Sequence, residues 1–129
     1  MSRIKNSSNM KKNKVYVTQE IQGTSIGAPR INIMGASKFG ELKFLLPEDS
    51  QMIYSPGPLT SRLLQALKDF NDDDYLLLTG DPAIMAVAGA IASKINNGKF
   101  TVLKWDRRDH LYYPLAINLH KGGRSEQIN

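Results

Sequence analysis

One segment, Tyr75–Asp106, constrains the fold of this chain more than any other. It opens with the apolar run Tyr75–Thr79 (YLLLT), which is typical of a strand covered on both faces. In Gly80-Asp81-Pro82, the aspartate suits an N-cap and the proline suits the first turn of a helix. We therefore predict a helix from Pro82 to about Asn96, ended by Gly98, and a strand over Lys99–Trp105. A strand, a helix and a strand in this order predict a right-handed βαβ crossover with parallel strands.

The helix predicted after Pro82 has an unusual composition. Alanine, glycine and aliphatic residues occupy nearly all of its positions up to Ile95. A helix that is apolar all round is normally buried on most sides. We therefore expect it to pack closely against a sheet or against another chain.

Five further strands are indicated by alternating or β-branched runs. They are Lys14–Gln19, Arg30–Met34, Phe39–Leu46, Gln51–Tyr54 and Leu111–Leu119. The composition of Glu20–Pro29 indicates a long loop, and that of Pro47–Ser50 indicates a hairpin loop. Pro114 places the last strand at a sheet edge or at a bulge.

A second helix is expected between the fourth and fifth strands. The run Ser55–Pro58 (SPGP) stops the sheet and starts this helix. Its buried face is predicted from apolar side chains at helical spacing, while charged and amide side chains mark the other face. The apolar positions are Leu59, Leu63, Leu64, Leu67 and Phe70.

These elements predict an α/β (α+β-like) fold. We expect a single mixed β-sheet of about six to seven strands, two helices, one βαβ crossover and a C-terminal hairpin. Apart from the crossover pair, the strands are expected to be antiparallel. A chain of 129 residues suits one domain, which we assign to residues 14–120. A disordered basic tail (1–13) and a flexible C-terminal tail (121–129) are expected to flank it.

The net charge of +5 is concentrated in these tails. Without residues 1–14 and 121–129, the chain carries 10 basic and 11 acidic side chains. A nucleic-acid-binding domain normally carries a basic stripe on its folded surface. The high pI is thus weak support for nucleic-acid binding, and Lys11, Lys12 and Lys14 are the candidate contacts near the N-terminus.

Several classes of protein are disfavoured by composition. The chain has no cysteine, which excludes disulfides, thiolate metal sites and a cysteine nucleophile. Its apolar runs are too short to span a membrane, and its first residues lack the apolar region of a secretory signal. We expect a cytoplasmic protein without a cofactor, a bound metal or a membrane partner.

The strand–helix junction is the first candidate ligand site. Ligands of α/β sheets tend to bind at the carboxyl ends of strands, and helix N-termini favour anions. Asp81 is more simply explained as a cap, and a convergence of Asp81 with Asp106 on a cation is a weaker alternative. The candidate ligand-binding residues are Thr79, Gly80, Asp81, Ala83 and Asp106.

The C-terminal hairpin is the second candidate site. Aromatic side chains interleaved with arginines can stack on bases, grip phosphates or form a protein interface. The candidate contacts are Trp105, Arg107, Arg108, Tyr112 and Tyr113. Strand alternation sends Tyr112 and Tyr113 to opposite faces, so some of these rings are expected to be ordinary core.

Two resemblances extend this interpretation. The segment Tyr75–Asp106, together with Arg30–Pro47 (RINIMGASKFGELKFLLP), resembles small uncharacterised proteins of bacteriophages, notably marine phages. That resemblance implies an intracellular, phage-encoded accessory protein and no particular activity. The strand–Thr79-Gly80–helix–strand pattern is similar to CRISPR-associated Rossmann-like sensor domains, which implies nucleotide sensing. Those domains usually carry a second glycine and a basic or hydroxyl residue where this chain has Asp81 and Pro82.

Three functions remain open at this point. The absence of a catalytic motif, with the charged tail and the aromatic hairpin, favours a non-catalytic binding or regulatory module that acts on a host protein or a nucleic acid. A small-ligand or nucleotide site at the Gly80-Asp81 junction, with or without metal-dependent catalysis, is the alternative. The apolar helix and an exposed edge strand also allow a structural protein that self-assembles.

Overall fold

The computed structural model describes residues 13–20, 33–51 and 55–120. Five strands of these ranges form one sheet in the order β2-β1-β3-β4-β5. The strands are β1 (Lys14–Gln19), β2 (Glu41–Leu46), β3 (Tyr75–Leu77), β4 (Lys99–Asp106) and β5 (Leu111–Asn118). A 3₁₀ helix spans Ile33–Lys38, and two α-helices follow, α1 (Gly57–Ala66) and α2 (Pro82–Ile95).

Most of this sheet is parallel. β1 pairs in parallel with both β2 and β3, and β3 pairs in parallel with β4. β5 alone runs antiparallel in this sheet, against β4. The mixed α/β class, the βαβ crossover and the C-terminal hairpin are therefore confirmed. The expectation that strands outside the crossover are antiparallel was wrong, because β1 occupies the sheet interior and receives crossover partners on both sides.

The predicted count of six to seven strands is not matched, since five strands are described. The strand expected over Arg30–Met34 is contradicted at its end, because Ile33 begins the 3₁₀ helix. The short strand expected over Gln51–Tyr54 lies largely outside the described residues, as does most of the loop Glu20–Pro29. Pro47–Ser50 follows β2, a parallel strand, rather than joining two described antiparallel strands.

The sheet divides the core into two apolar layers. On one face, both α-helices pack over the sheet, with Leu63, Leu67 and Ile84 fully buried beside Tyr16 and Leu76. On the other face, the 3₁₀ helix covers a second cluster. That cluster contains Val15, Val17, Ala36, Leu77, Leu103 and Tyr112. Because alternate residues of β1 enter different clusters, this central strand joins the two halves of the core.

The two helices are less buried than the sequence predicts. In α1, Leu64 was expected on the apolar face, but its side chain is 43% exposed. Helix α2 was expected to be buried on most sides, and that expectation was wrong. Its core-facing side chains are Ile84, Ala88, Ile91 and Ala92, while Ala83, Ala86 and Ala90 face solvent. Small residues tolerate exposure because they carry little apolar area.

Local signals set the bounds of α2. The Asp81 carboxylate accepts a hydrogen bond from the Ala83 N–H (2.9 Å), and Pro82 occupies the first turn. The helix ends through Asn97 (φ 55°) and Gly98 (φ 80°), both in the left-handed region. The predicted cap and stop are confirmed. Within the described ranges, no helix has the length and apolar character needed to cross a bilayer.

Candidate functional site

The strand order creates a topological switch point between β1 and β3. From β1 the chain continues to β2 on one side, whereas β3 lies on the other side and leads on to β4. In open α/β sheets, ligands bind in the crevice outside the carboxyl ends of such strands. Here Thr18 and Gln19 end β1, and Thr79-Gly80-Asp81 follows β3.

Two buried threonines link the ends of these strands. The Thr79 N–H donates to the Thr18 hydroxyl (2.7 Å), and that hydroxyl donates to the Thr79 carbonyl (2.6 Å). The Thr79 hydroxyl donates to the Gln19 carbonyl and accepts from the Gln19 N–H (3.1 Å). Each hydroxyl thus both donates and accepts, so the buried polar atoms of this pair are satisfied internally.

The Gln19 side chain fills the switch point itself. Its Oε1 accepts from the Asp81 N–H (2.8 Å), and its Nε2 donates towards the carbonyls of Pro47, Glu48 and Ser50 (2.7–3.0 Å). Gly80 adopts φ +91°, and a Cβ built there would overlap Gln19 Oε1. One amide therefore joins the ends of three strands and uses a backbone donor that an anion would need at the start of α2.

A crevice of about 620 Å³ lies above this amide. Among the described residues that line it are three carboxylates and no basic side chain. An acidic lining repels phosphate, so the crevice is poorly suited to a nucleotide. The lining residues are Gln19, Glu48, Asp49, Ser50, Gln51, Gly80, Asp81 and Pro82.

The predicted ligand-site residues are only partly brought together. Gly80 and Asp81 line the crevice, Thr79 lies buried beneath it, and the Ala83 N–H is bonded to Asp81. Asp106 is not among the lining residues. Its carboxylate instead accepts from the backbone N–H groups of Arg108 (2.9 Å) and Asp109 (3.3 Å). In the described part of the chain, no group of three or more His, Asp or Glu side chains is placed to hold a metal ion.

The predicted aromatic contacts of the hairpin divide between core and surface. The Trp105 ring packs edge-on against Tyr112 (centroids 4.9 Å apart) and near His110 (6.2 Å). Tyr112 is 3% exposed, whereas Tyr113, on the opposite face, is 37% exposed. The Tyr112 hydroxyl is buried and has no hydrogen-bond partner in the described part of the chain, and burial raises its pKa to about 12.

The predicted basic contacts do not form one surface. Arg107 and Arg108 are exposed in the turn after β4. Lys14 begins β1 at the opposite end of the sheet, about 20 Å away at 3.3 Å per strand residue, and its backbone N–H donates to Asp74 Oδ1 (3.0 Å). Lys11 and Lys12 lie outside the described residues.

An exposed apolar row lies on β5, and of its side chains the sequence analysis named only Tyr113 as a candidate contact. Tyr112 faces the 3₁₀-helix side, so alternation places its odd-numbered neighbours on the α-helix side. Leu111, Tyr113 and Leu115 are 41%, 37% and 41% exposed there, and Ile117 is half-buried. We call these four side chains the β5 face. The available signal was the run LYYPLAIN, which contains no charged residue.

A second apolar surface lies at the other edge of the sheet. Met34 and Phe44 are 65% and 45% exposed and border an open crevice of about 720 Å³. Charged side chains, Lys38 and Glu41, are among the residues that line this crevice. Phe44 therefore serves below as a matched exposed apolar position far from β5.

Comparison with known proteins gives one positive result. None of the curated proteins compared with the chain matches it. The model of one protein family matches residues 13–119, which includes every described strand and helix. The phage resemblance is thereby supported, while the similarity to CRISPR-associated sensor domains is not shown. The chain belongs to the family of phage Pam3 gp32-like proteins.

Proposed function

We propose that this chain is a phage-encoded, non-catalytic binding module that acts on a protein of the infected cell, in the host cytoplasm. The β5 face is the proposed docking surface. Protein interfaces are centred on apolar and aromatic side chains, with charged residues at the rim. Leu111, Tyr113 and Leu115 supply such a centre in adjacent same-face positions.

The observation that supports this proposal most is the exposure of three large side chains in one row. Single exposed leucines are common on protein surfaces, but contiguous apolar rows mark interaction sites. The edge strand of a two-layered sheet normally alternates apolar and polar residues. β5 instead carries apolar or aromatic residues on both faces. Tyr112 is buried on the 3₁₀-helix face, whereas the three large side chains of the row on the other face are exposed.

Nucleic acid is the less favoured partner. Trp105 and Tyr112 are packed against one another, so they do not form an open platform for bases. Among the described candidate cations, Lys14 lies at the opposite end of the sheet from Arg107 and Arg108. A nucleotide site at the switch point is also less favoured, because Gln19 occupies the backbone donor and three carboxylates line the crevice.

Site-specific crosslinking in the natural host tests the proposal. Tyr113 is replaced by the photo-crosslinker p-benzoyl-phenylalanine, with a second protein carrying it at Phe44. We expect a discrete crosslinked protein from position 113, identified by mass spectrometry and absent from position 44. Leu115→Lys should abolish that crosslink, because a charge at the centre of an apolar interface costs several kcal/mol.

Phe44→Lys is the matched control and should leave the crosslink at position 113 unchanged. Circular dichroism melts of both lysine variants establish that each is folded. The proposal fails if the crosslinked protein persists in Leu115→Lys. It also fails if the crosslinked species is shortened by nuclease, which would identify a nucleic-acid partner, or if it is a second copy of the chain.

A further inference from the structure

We infer that the partner docks as an amphipathic α-helix with an apolar face and acidic flanks, lying along β5. This inference rests on the proposed function, since it specifies the partner of the same surface. Three features support it. The layer of α-helices stops before β5, the free edge of β5 lacks a backbone donor at its centre, and charged side chains lie beside the β5 face.

The helical layer of the described structure stops before β5. Helix α2 contacts β1 and β4, and α1 contacts β2 and α2. β5 pairs extensively with β4 and also contacts the 3₁₀ helix on the opposite face. An additional helix over β5 would continue the layer and bury the β5 face in the way that α2 buries Leu76.

The dimensions of the β5 face suit a short helix. From Leu111 to Ile117 the row extends about 20 Å at 3.3 Å per residue. A helix of about 14 residues has the same length at 1.5 Å per residue. Helix α2 has 14 residues, and it already packs on this sheet with that length.

Addition of a partner strand is disfavoured by Pro114. This residue lies opposite Leu103 in the antiparallel ladder. Because proline has no N–H, it suits a position whose N–H would point away from β4, so the missing donor lies on the free edge. The centre of that edge cannot donate to an added strand, whereas docking of a helix on the face needs no backbone bonds.

The described charged side chains beside the β5 face are three cations and two carboxylates, which leaves a basic excess of one. Lys104 lies directly opposite Tyr113 on the same face, and Arg107 and Arg108 are exposed in the adjoining turn. The same hairpin also carries Asp106, whose carboxylate accepts from two N–H groups of the turn, and the exposed Asp109. Acidic flanks on the partner would therefore complement this rim, which mainly adds association rate and specificity.

Two other occupants fit the observations less well. The N-terminal residues 1–12 contain four basic and no acidic side chains, so they carry the same charge as the rim. The sequence 121–129 (KGGRSEQIN) contains one aliphatic residue, too few for an apolar helix face. Face-to-face pairing of two copies would bring the Lys104 side chains of both copies to the same interface.

The test uses three synthetic peptides of 14 residues and the ¹⁵N-labelled full chain. One peptide is an amphipathic helix with leucines on one face and glutamates elsewhere. The second replaces each glutamate by lysine, and the third is the glutamate peptide with proline at its centre. Chemical-shift titration gives both the affinity and the location of binding.

We expect the glutamate peptide to shift amide signals of β4 and β5 and to bind about tenfold more tightly than the lysine peptide, which corresponds to 1.4 kcal/mol. The proline peptide should bind at least tenfold more weakly, because proline breaks the helix. Lys104→Glu should reduce the preference for the glutamate peptide, and Leu115→Lys should remove its binding. Phe44→Lys should change neither.

The inference is overturned if the glutamate peptide shifts no β5 signals, if the proline peptide binds equally well, or if the lysine peptide is preferred. These outcomes are separable from failure of the proposed function. If the host crosslink depends on Leu115 while the peptides do not bind, the docking surface stands and the helical occupant is wrong.

Discussion

Two glycines, one just before α2 and one inside it, have opposite structural requirements. Gly80 adopts φ +91°, and a Cβ there would meet Gln19, whereas a Cβ on Gly89 would meet nothing within 4 Å. We expect Gly80→Ala to lower the free energy of unfolding by about 3 kcal/mol, from backbone strain and overlap. Gly89→Ala should raise it by about 0.5–1 kcal/mol through helix propensity.

Urea denaturation of both variants measures these effects. If Gly80→Ala changes the free energy of unfolding as little as Gly89→Ala does, Gln19 moves aside readily and the switch-point network is not rigid. A large loss confined to Gly80→Ala would support the view that this network is part of the fold's framework.

The buried hydroxyl of Tyr112 has no partner among the described residues, and its removal should be tolerated. An unpaired buried polar group costs about 1–3 kcal/mol, so Tyr112→Phe should be neutral or stabilising by about 1 kcal/mol at neutral pH. Burial raises the pKa of Tyr112 from 10.0 to about 12. For Tyr16, burial and the nearby Asp74 and Asp69 also raise the pKa to about 12.

These raised pKa values predict loss of stability at alkaline pH. Above pH 10 the unfolded chain releases the tyrosine protons first, so it binds fewer protons than the folded chain and the free energy of unfolding falls up to about pH 12. Tyr112→Phe should flatten this fall. If the free energy of unfolding of Tyr112→Phe falls with pH as steeply as that of the wild type, the raised pKa of Tyr112 does not cause the fall.

At the scale of elements, β5 is an edge strand, and mainly one residue protects its free edge from pairing with another strand. Pro114 removes a donor from the middle of its free edge, whereas Ala116, two residues on, has the ordinary backbone. We expect Pro114→Thr to restore an unbroken edge and to promote concentration-dependent self-association. Ala116→Thr introduces the same side chain without adding a backbone N–H donor. This variant should therefore keep the oligomeric state of the wild type.

Sedimentation velocity over a range of concentrations makes this comparison. If Pro114→Thr sediments like the wild type, the free edge of β5 is blocked by something other than the proline. Pro114 would then not prevent a partner strand from pairing with β5 in the proposed complex.

At the scale of the whole molecule, the two apolar layers should unfold together. Tyr16 belongs to the layer under the α-helices, and Val15 and Val17 belong to the layer under the 3₁₀ helix. Because one central strand serves both layers, neither can lose its packing alone. We expect urea unfolding curves from far-UV circular dichroism and from fluorescence of Trp105, the single tryptophan, to coincide.

An earlier transition in Trp105 fluorescence would show that the β4–β5 hairpin separates from the sheet before the rest unfolds. The coupling between the layers would then be weaker than the shared strand implies.

The sequence by itself determined the features that depend on neighbouring residues. Asp81 and Pro82 start α2 and Gly98 ends it, and each acts within a few positions along the chain. The crossover from β3 to β4 follows from the same segment, and Pro114 separately indicated that β5 lies at an edge or carries a bulge. The alternation that put Tyr112 and Tyr113 on opposite faces is likewise a local property of a strand.

The tertiary structure alone decided which strands and side chains meet. β1 pairs with β2 and β3 through contacts between residues far apart in the chain, and Gln19 reaches Asp81 across 62 positions. Hydrophobicity indicates that a side chain is buried but not which partner buries it. For the same reason only Tyr113 of the β5 face was named from the sequence, since the exposure of the whole row depends on where the helical layer ends.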